Sequence, residues 1–181
     1  MAIINVGEKL PDFKVDTSKK RNTSFLEIAG GKPTMFVVLR YIGCPSCRYD
    51  VHVLSQKYAE FEKKGVNVVV VMQSSVENLE KALEDADVPF PIVADADMNV
   101  YKTLSIEPAK DMAGLVGGDM EKLQAKGAKC KELGFEHGEY EGIEEQLPAF
   151  FYVDSDLTVK VAHYAKTIVD MPTADDMLAM I

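Results

Sequence analysis

Cys44-Pro45-Ser46-Cys47 sets two thiols three residues apart. At that spacing one sulfur can attack an electrophile and the other can close a disulfide behind it. The preceding run, from about Thr34 to Tyr41, is apolar and rich in β-branched and aromatic residues, which reads as a buried central strand. Gly43 breaks that strand, and Pro45 suits the first turn of a helix. Cys47, Val51, Leu54, Tyr58 and Phe61 then recur at spacings of four and three, along one helix face. Cys44 is therefore expected just ahead of the first turn and exposed, where unpaired N–H groups and the helix dipole stabilise a thiolate. Its pKa should fall from about 8.5 toward about 7. Arg40 and Arg48 add positive charge nearby, and Cys47 is the sheltered partner at the head of the buried stripe.

A zinc pair is the competing reading. Zinc needs four ligands, and beyond the pair only Cys130 and the scattered His52, His137 and His163 remain, so no metal is expected. Cys130 is read as filler on a helix face in preference to a second resolving thiol. The histidines are read as surface or satisfied structural groups.

The elements that must hold the cysteine pair follow from the rest of the chain. At 181 residues it has enough length for one full core and reads as a single domain, 1–181. The net charge of -9 argues against a nucleic-acid partner. No apolar run approaches a membrane span. The start, Met1-Ala2-Ile3-Ile4-Asn5, has neither the basic segment nor the apolar stretch of a leader, so a cytoplasmic location is expected, where a disulfide is usually transient and catalytic.

Residues 1–33 read as an N-terminal arm with one short strand near Leu10, Phe13 and Val15, a polar turn at Lys19–Asn22 and a short helix from Ser24 to Ala29. Val68–Met72 is a second apolar strand, as in a sheet covered on both faces. Ser74-Ser75-Val76-Glu77 reads as a capping box opening a helix to about Asp85. A third strand lies within Val88–Asp95, and a turn or two of helix at Asn99–Leu104. Residues 107–146 lack a strand signal and form a predicted helical insertion, with helix from about Asp111 to Leu133, interrupted at Gly117-Gly118. Met120, Leu123, Gly127 and Cys130 share its face, and its tail, Glu136–Glu145, is acidic. Leu147–Asp154 is a fourth strand, Thr158–Tyr164 its hairpin partner, and a final helix begins near Thr173, with Met177, Leu178 and Ile181 toward the sheet. Strands alternating with helices make an α/β fold with a mixed, substantially parallel sheet.

That order of elements, with Cys-Pro-Ser-Cys at the first strand–helix junction and a proline before the fourth strand, resembles the thioredoxin fold. Val6-Gly7-Glu8-Lys9-Leu10-Pro11-Asp12-Phe13, Phe90–Asp95 and Phe150–Asp154 resemble segments of the alkyl hydroperoxide reductase / thiol-specific antioxidant family, which is peroxiredoxin-like. Arg40–Arg48 is similar to its subgroup with a Cys-x-x-Cys. The resemblance covers most of the chain outside residues 107–146. It departs at three places: Tyr41 stands where that family carries Thr or Ser, Val37 where it carries proline, and Pro148 where it carries an arginine beside the fourth strand. Pro148 instead matches the cis-proline of thioredoxins, so the resemblance implies a cis bond and, with Leu147, a substrate groove beside Cys44. It also implies that the end of the insertion, Gly142–Gln146, lies near Cys44 and that the insertion caps the site.

These features describe a thiol–disulfide oxidoreductase. Cys44 attacks, Cys47 resolves, and Arg40, Tyr41, Pro45, Arg48, Leu147 and Pro148 shape the groove or activate the thiolate. The alternative is a thiol peroxidase with Cys44 oxidised to a sulfenic acid that Cys47 condenses with, and a further one is a non-enzymatic redox-sensing module. No bound cofactor is expected. A thioredoxin-type or other thiol reductant must supply electrons, and a disulfide or hydroperoxide is the substrate.

Overall fold

The computed structural model describes residues 3–181; Met1 and Ala2, which open the segment read as no leader, lie outside the described residues. In chain order the elements are β1 (Lys14–Thr17), β2 (Thr23–Ser24), α1 (Phe25–Ala29), β3 (Thr34–Val38), α2 (Pro45–Lys63), β4 (Asn67–Met72), α3 (Val76–Leu83) and β5 (Ile92–Ala94). They continue with α4 (Asn99–Thr103), α5 (Met112–Val116), α6 (Met120–Glu132), β6 (Ala149–Val153), β7 (Val159–Tyr164) and α7 (Ala174–Ala179). The sheet has seven strands in the order β2-β1-β5-β4-β3-β6-β7. β3, β4 and β5 run parallel, while β6, β7 and β1 join antiparallel.

Alternation along each central strand builds two cores. Met35, Val37, Val68, Val70, Met72 and Phe150 face one side with Cys44, Cys47 and the α2 stripe. Phe36, Val38, Val69, Val71, Phe151 and Val153 face the other, under α1 and α4. Strands buried on both faces need no polar alternation, which is why β3 and β4 read as unbroken apolar runs.

β3 stops at Val38, short of the expected Tyr41. Val38 pairs with Ala149, so the next position on β6 is Pro148, which has no N–H to offer the ladder. The chain parts from β6 there, with the Leu39 N–H still bonded to the Val71 carbonyl at 2.9 Å and the Arg40 carbonyl accepting from the Gln73 N–H at 2.8 Å. Three other expectations are corrected. The α3 cap is Ser75, whose side chain accepts from the Asn78 N–H, so Ser74-Ser75-Val76-Glu77 is not a capping box. Ser74 faces Glu141 instead. Met120 is exposed, and Lys126 takes its place on the packed face of α6. Ile181 is 37% exposed, outside the contacts that seat Met177 and Leu178. Among the described residues no helix is long and apolar enough to cross a membrane.

Candidate active site

Cys44 is the N-cap residue of α2 and Pro45 occupies the first turn, so the helix starts at the thiol. Cys47 follows one turn later on the buried stripe. Both cysteines are free, and both are buried. The expected exposure of Cys44 is corrected: it is 2% exposed, because segments of residues 107–146 fold over it. It opens into a cleft of about 370 Å³ whose wall includes Arg40, Cys44, Pro45 and Ser46 on one side and Lys126, Cys130, His137, Tyr140 and Glu144 on the other. A second cavity of about 270 Å³, between α2 and α7, is lined by Val37, Leu54 and Met177 and carries no cysteine.

The charge around Cys44 explains its chemistry. Arg40, 5% exposed, donates from Nη1 to Cys44 Sγ at 3.4 Å, and from Nη2 to the Glu144 carbonyl. The Cys44 thiol is lowered to about 6, chiefly because the Cys47 thiol donates a hydrogen bond to it. Burial works against the shift, while the charges of Arg40 and Lys126 favour it. Cys47 goes the other way: burial and the neighbouring Cys44 sulfur push its thiol well up. The pair is therefore a thiolate held by a protonated donor, the asymmetry read from the spacing.

Lys126 reaches the site from α6 and forms a 2.7 Å ion pair with Asp50, one turn beyond Cys47 on α2. Burial raises the Asp50 carboxyl against the pull of that lysine. Burial likewise opposes the charge of Lys126, but Asp50 and the two cysteine sulfurs outweigh it and its pKa rises. Cys130 lies one turn further along α6, with Sγ 3.4 Å from the Pro45 carbonyl, and burial raises its thiol.

The other residues singled out from the sequence scatter. Tyr41 is fully buried, and its hydroxyl meets His137 Nε2 at 3.1 Å. Burial raises the Tyr41 phenol, so it stays protonated. Arg48 points away from the cleft and stacks on Phe135, 4.9 Å from the ring centroid. Phe135, in turn, is part of the cleft wall. No peptide bond is cis among the described residues, so the cis bond expected at Pro148 is corrected to trans. Leu147 packs on the core, the Pro148 carbonyl accepts from Ala165 N–H at 3.1 Å, and neither residue lines the cleft. The physical reason is the one that ends β3: Pro148 serves to terminate the β3–β6 ladder. Among the described residues no group of three or more His, Cys, Asp or Glu is placed to hold a metal ion.

The groups missed from the sequence come from residues 107–146. His137, read as surface or structural, joins the cleft wall and packs 4.1 Å, centroid to centroid, from the Tyr140 ring. Glu141 anchors this segment: its carboxylate accepts from Ser74 Oγ at 2.7 Å, Ser75 N at 2.9 Å and Asn78 Nδ2 at 2.9 Å, at the start of α3. A carboxylate there meets the unpaired N–H groups of the helix. Gln73 binds both the carbonyl and the N–H of Ile143, at 2.6 and 3.1 Å. The only sequence signal was the insertion's return to the fourth strand, which placed Gly142–Gln146, and hence Glu144, near Cys44.

Gly43 makes this closure possible. Its carbonyl accepts from the Gly138 N–H at 2.8 Å, and a Cβ on Gly43 would stand 2.2 Å from the Glu139 carbonyl oxygen. Gly43→Ala is expected to displace residues 138–141 at a cost of about 1–3 kcal/mol, the usual range for overpacking. Each kcal/mol corresponds to about 2–4 °C in Tm for a chain of this size, so a thermal melt reads the effect. An unchanged Tm would mean that the segment is not seated on Gly43.

The sequence profile described as the AhpC/TSA family matches residues 6–162. A peroxiredoxin of Thermoplasma volcanium is 30% identical over 118 residues, 62% of this chain and 57% of that protein. A thiol-disulfide oxidoreductase ResA of Halalkalibacterium halodurans is 24% identical over 110 residues, 59% of this chain and 60% of that one. The chain thus spans less than two thirds of the length of these curated relatives. The crystal structure of the peroxidoxin BcpB from Mycobacterium tuberculosis superposes with a TM-score of 0.69 at 15% identity, covering 96% of this chain and 94% of that one. At that identity the likeness is one of fold, and the mixed sheet flanked by helices is the thioredoxin fold expected from the sequence.

Proposed function

The chain belongs to the AhpC/TSA family, and from that premise we propose that it is a thiol peroxidase. The Cys44 thiolate attacks the terminal oxygen of a hydroperoxide, the O–O bond breaks, and the alkoxide or hydroxide leaves and takes up a proton. Cys47 then attacks the Cys44 sulfenic acid, forming the disulfide and releasing water. A thioredoxin-type or other dithiol reductant restores the pair.

The observation that carries this reading is Arg40. Disulfide exchange ranked first from the sequence because the cation expected beside the fourth strand is replaced by Pro148. Arg40 supplies a buried cation from the other side, bonded to the Cys44 sulfur at 3.4 Å. Peroxide cleavage needs such a preorganised donor where charge develops. Disulfide exchange with a protein, the second reading, would require residues 138–146 to move off the buried sulfur, whereas a small hydroperoxide fits the cleft.

The test is stopped-flow oxidation of the reduced protein by hydrogen peroxide and by an organic hydroperoxide, set against turnover of a small disulfide with the same dithiol. The expected second-order constant for a hydroperoxide is on the order of 10⁵ M⁻¹s⁻¹ or more, within the range of efficient enzymes. Because the thiolate is the nucleophile and Cys44 ionises near 6, the rate should be flat above that pH and fall about tenfold per unit below it. Peroxide rates like those of a free thiol, with faster disulfide turnover, would reverse the assignment.

A further inference from the structure

Buried polar atoms without partners are rare and call for a reason. Among the described residues three side-chain atoms are in this state: Arg40 Nε, Ser46 Oγ and Gln146 Oε1. Arg40 and Ser46 belong to the wall of the Cys44 cleft, and Gln146 does not. Arg40 has both terminal nitrogens engaged, one on the Cys44 sulfur and one on the Glu144 carbonyl, so Nε is its one nitrogen without a partner.

The hydroxyl of Tyr41 is occupied elsewhere. His137 Nδ1 lies 2.8 Å from the Gly138 carbonyl, which can only accept, so Nδ1 carries the proton. In the neutral ring Nε2 must then accept, and it takes the Tyr41 O–H at 3.1 Å. Tyr41 is also absent from the cleft wall. Ser46 is the hydroxyl left between the two cysteines.

We propose that Ser46 Oγ and Arg40 Nε together bind the two oxygens of the hydroperoxide, with Ser46 as a further catalytic residue. This rests on the peroxidase reading above. The division of labour follows from the donor inventory: an arginine has no acceptor, so of the two it is Ser46 that accepts the terminal O–H of the peroxide. That contact aims the terminal oxygen at Cys44. Arg40 Nε donates to the other oxygen, which gathers negative charge. As the S–O bond forms, the O–O bond breaks and its electron pair departs on that oxygen, which takes a proton from solvent. Sulfur loses two electrons and the peroxide gains them.

The experiment measures Ser46→Ala and Ser46→Thr by stopped-flow oxidation with hydrogen peroxide, beside the pH profile of Cys44 alkylation by iodoacetamide. Alkylation reads the thiolate without using a peroxide site. Ser46→Ala is expected to lose about 10²-fold in the peroxide rate constant, the scale of one lost preorganised hydrogen bond, with an unchanged alkylation profile. Ser46→Thr, which keeps the hydroxyl, should retain most of the rate. Full peroxide reactivity in Ser46→Ala overturns the proposal. So does a rate loss matched by a shifted alkylation profile, since Ser46 would then act on the thiolate alone. A wild-type protein no faster with peroxide than a free thiol overturns the peroxidase reading itself and is told apart from both, because it appears before any substitution.

Discussion

Arg40→Met is expected to lower the second-order rate constant with hydrogen peroxide by at least about 10²–10³-fold, the cost of removing one preorganised donor from a developing oxyanion. Two effects combine at neutral pH. The guanidinium holds Cys44 ionised, so its loss raises the thiol from about 6 and depletes the thiolate. It also removes the donor proposed to face the leaving oxygen. The sign of the first effect lets them be separated. Cys44 has a depressed pKa, so the variant's deficit should shrink as pH rises and the thiolate is restored. At pH 9 to 10 the remaining deficit is the transition-state contribution. Arg40→Lys keeps a charge but not the fork that reaches both Cys44 and Glu144, so it should preserve part of the ionisation and little of the peroxide rate. If Arg40→Met matches the wild type once both are fully ionised, Arg40 only tunes the thiol and the peroxide site lies elsewhere. A thermal melt accompanies the measurement, since the Glu144 carbonyl loses its donor in both variants.

Cys47→Ser should separate the two halves of the cycle. Its hydroxyl still donates to Cys44, so the thiolate survives and the first oxidation by peroxide should stay fast. The second step fails, because no sulfur is left one turn away to condense with the sulfenic acid. Steady-state turnover with a dithiol should fall to background, while excess peroxide drives Cys44 to the sulfinic acid, seen by mass spectrometry as two added oxygens. Cys47→Ala differs in the first step as well. It removes the largest contribution to the low pKa of Cys44, and the midpoint of the alkylation profile should move up from about 6. Cys44→Ser should abolish both steps. A Cys44–Cys130 disulfide in Cys47→Ser would transfer the resolving role to Cys130, which shares the cleft and already contacts the Pro45 carbonyl.

The local chemistry was determined by the sequence alone. A glycine break after an apolar run, a proline in the first turn and a stripe beginning at Cys47 were enough to place Cys44 at a helix start and Cys47 inside. They were also enough to predict the lowered pKa of the Cys44 thiol. The strands were legible because β3 and β4 must be apolar on both faces, and the interruption at Gly117-Gly118 appears between α5 and α6. Such features depend on neighbours within a turn or two, where periodicity and capping chemistry act.

Tertiary structure decided everything that depends on direction. Arg40 and Arg48 looked equivalent in the sequence, yet one lies against Cys44 and the other on the Phe135 ring. Arg48 sits on α2, whereas Arg40 follows the end of the β3–β6 ladder at Val38 and Ala149. The chain parts from β6 at Leu39 and Arg40, and the carbonyl of Glu144, 104 positions away, receives the guanidinium. The acidic stretch Glu136–Glu145 contributes His137, Tyr140 and Glu144 to the cleft, held down by Glu141 at the start of α3. Polar loops of this kind carry no hydrophobic period. Their position is set by single hydrogen bonds to residues far away in the chain, and only the packed sheet and helices bring those partners within reach.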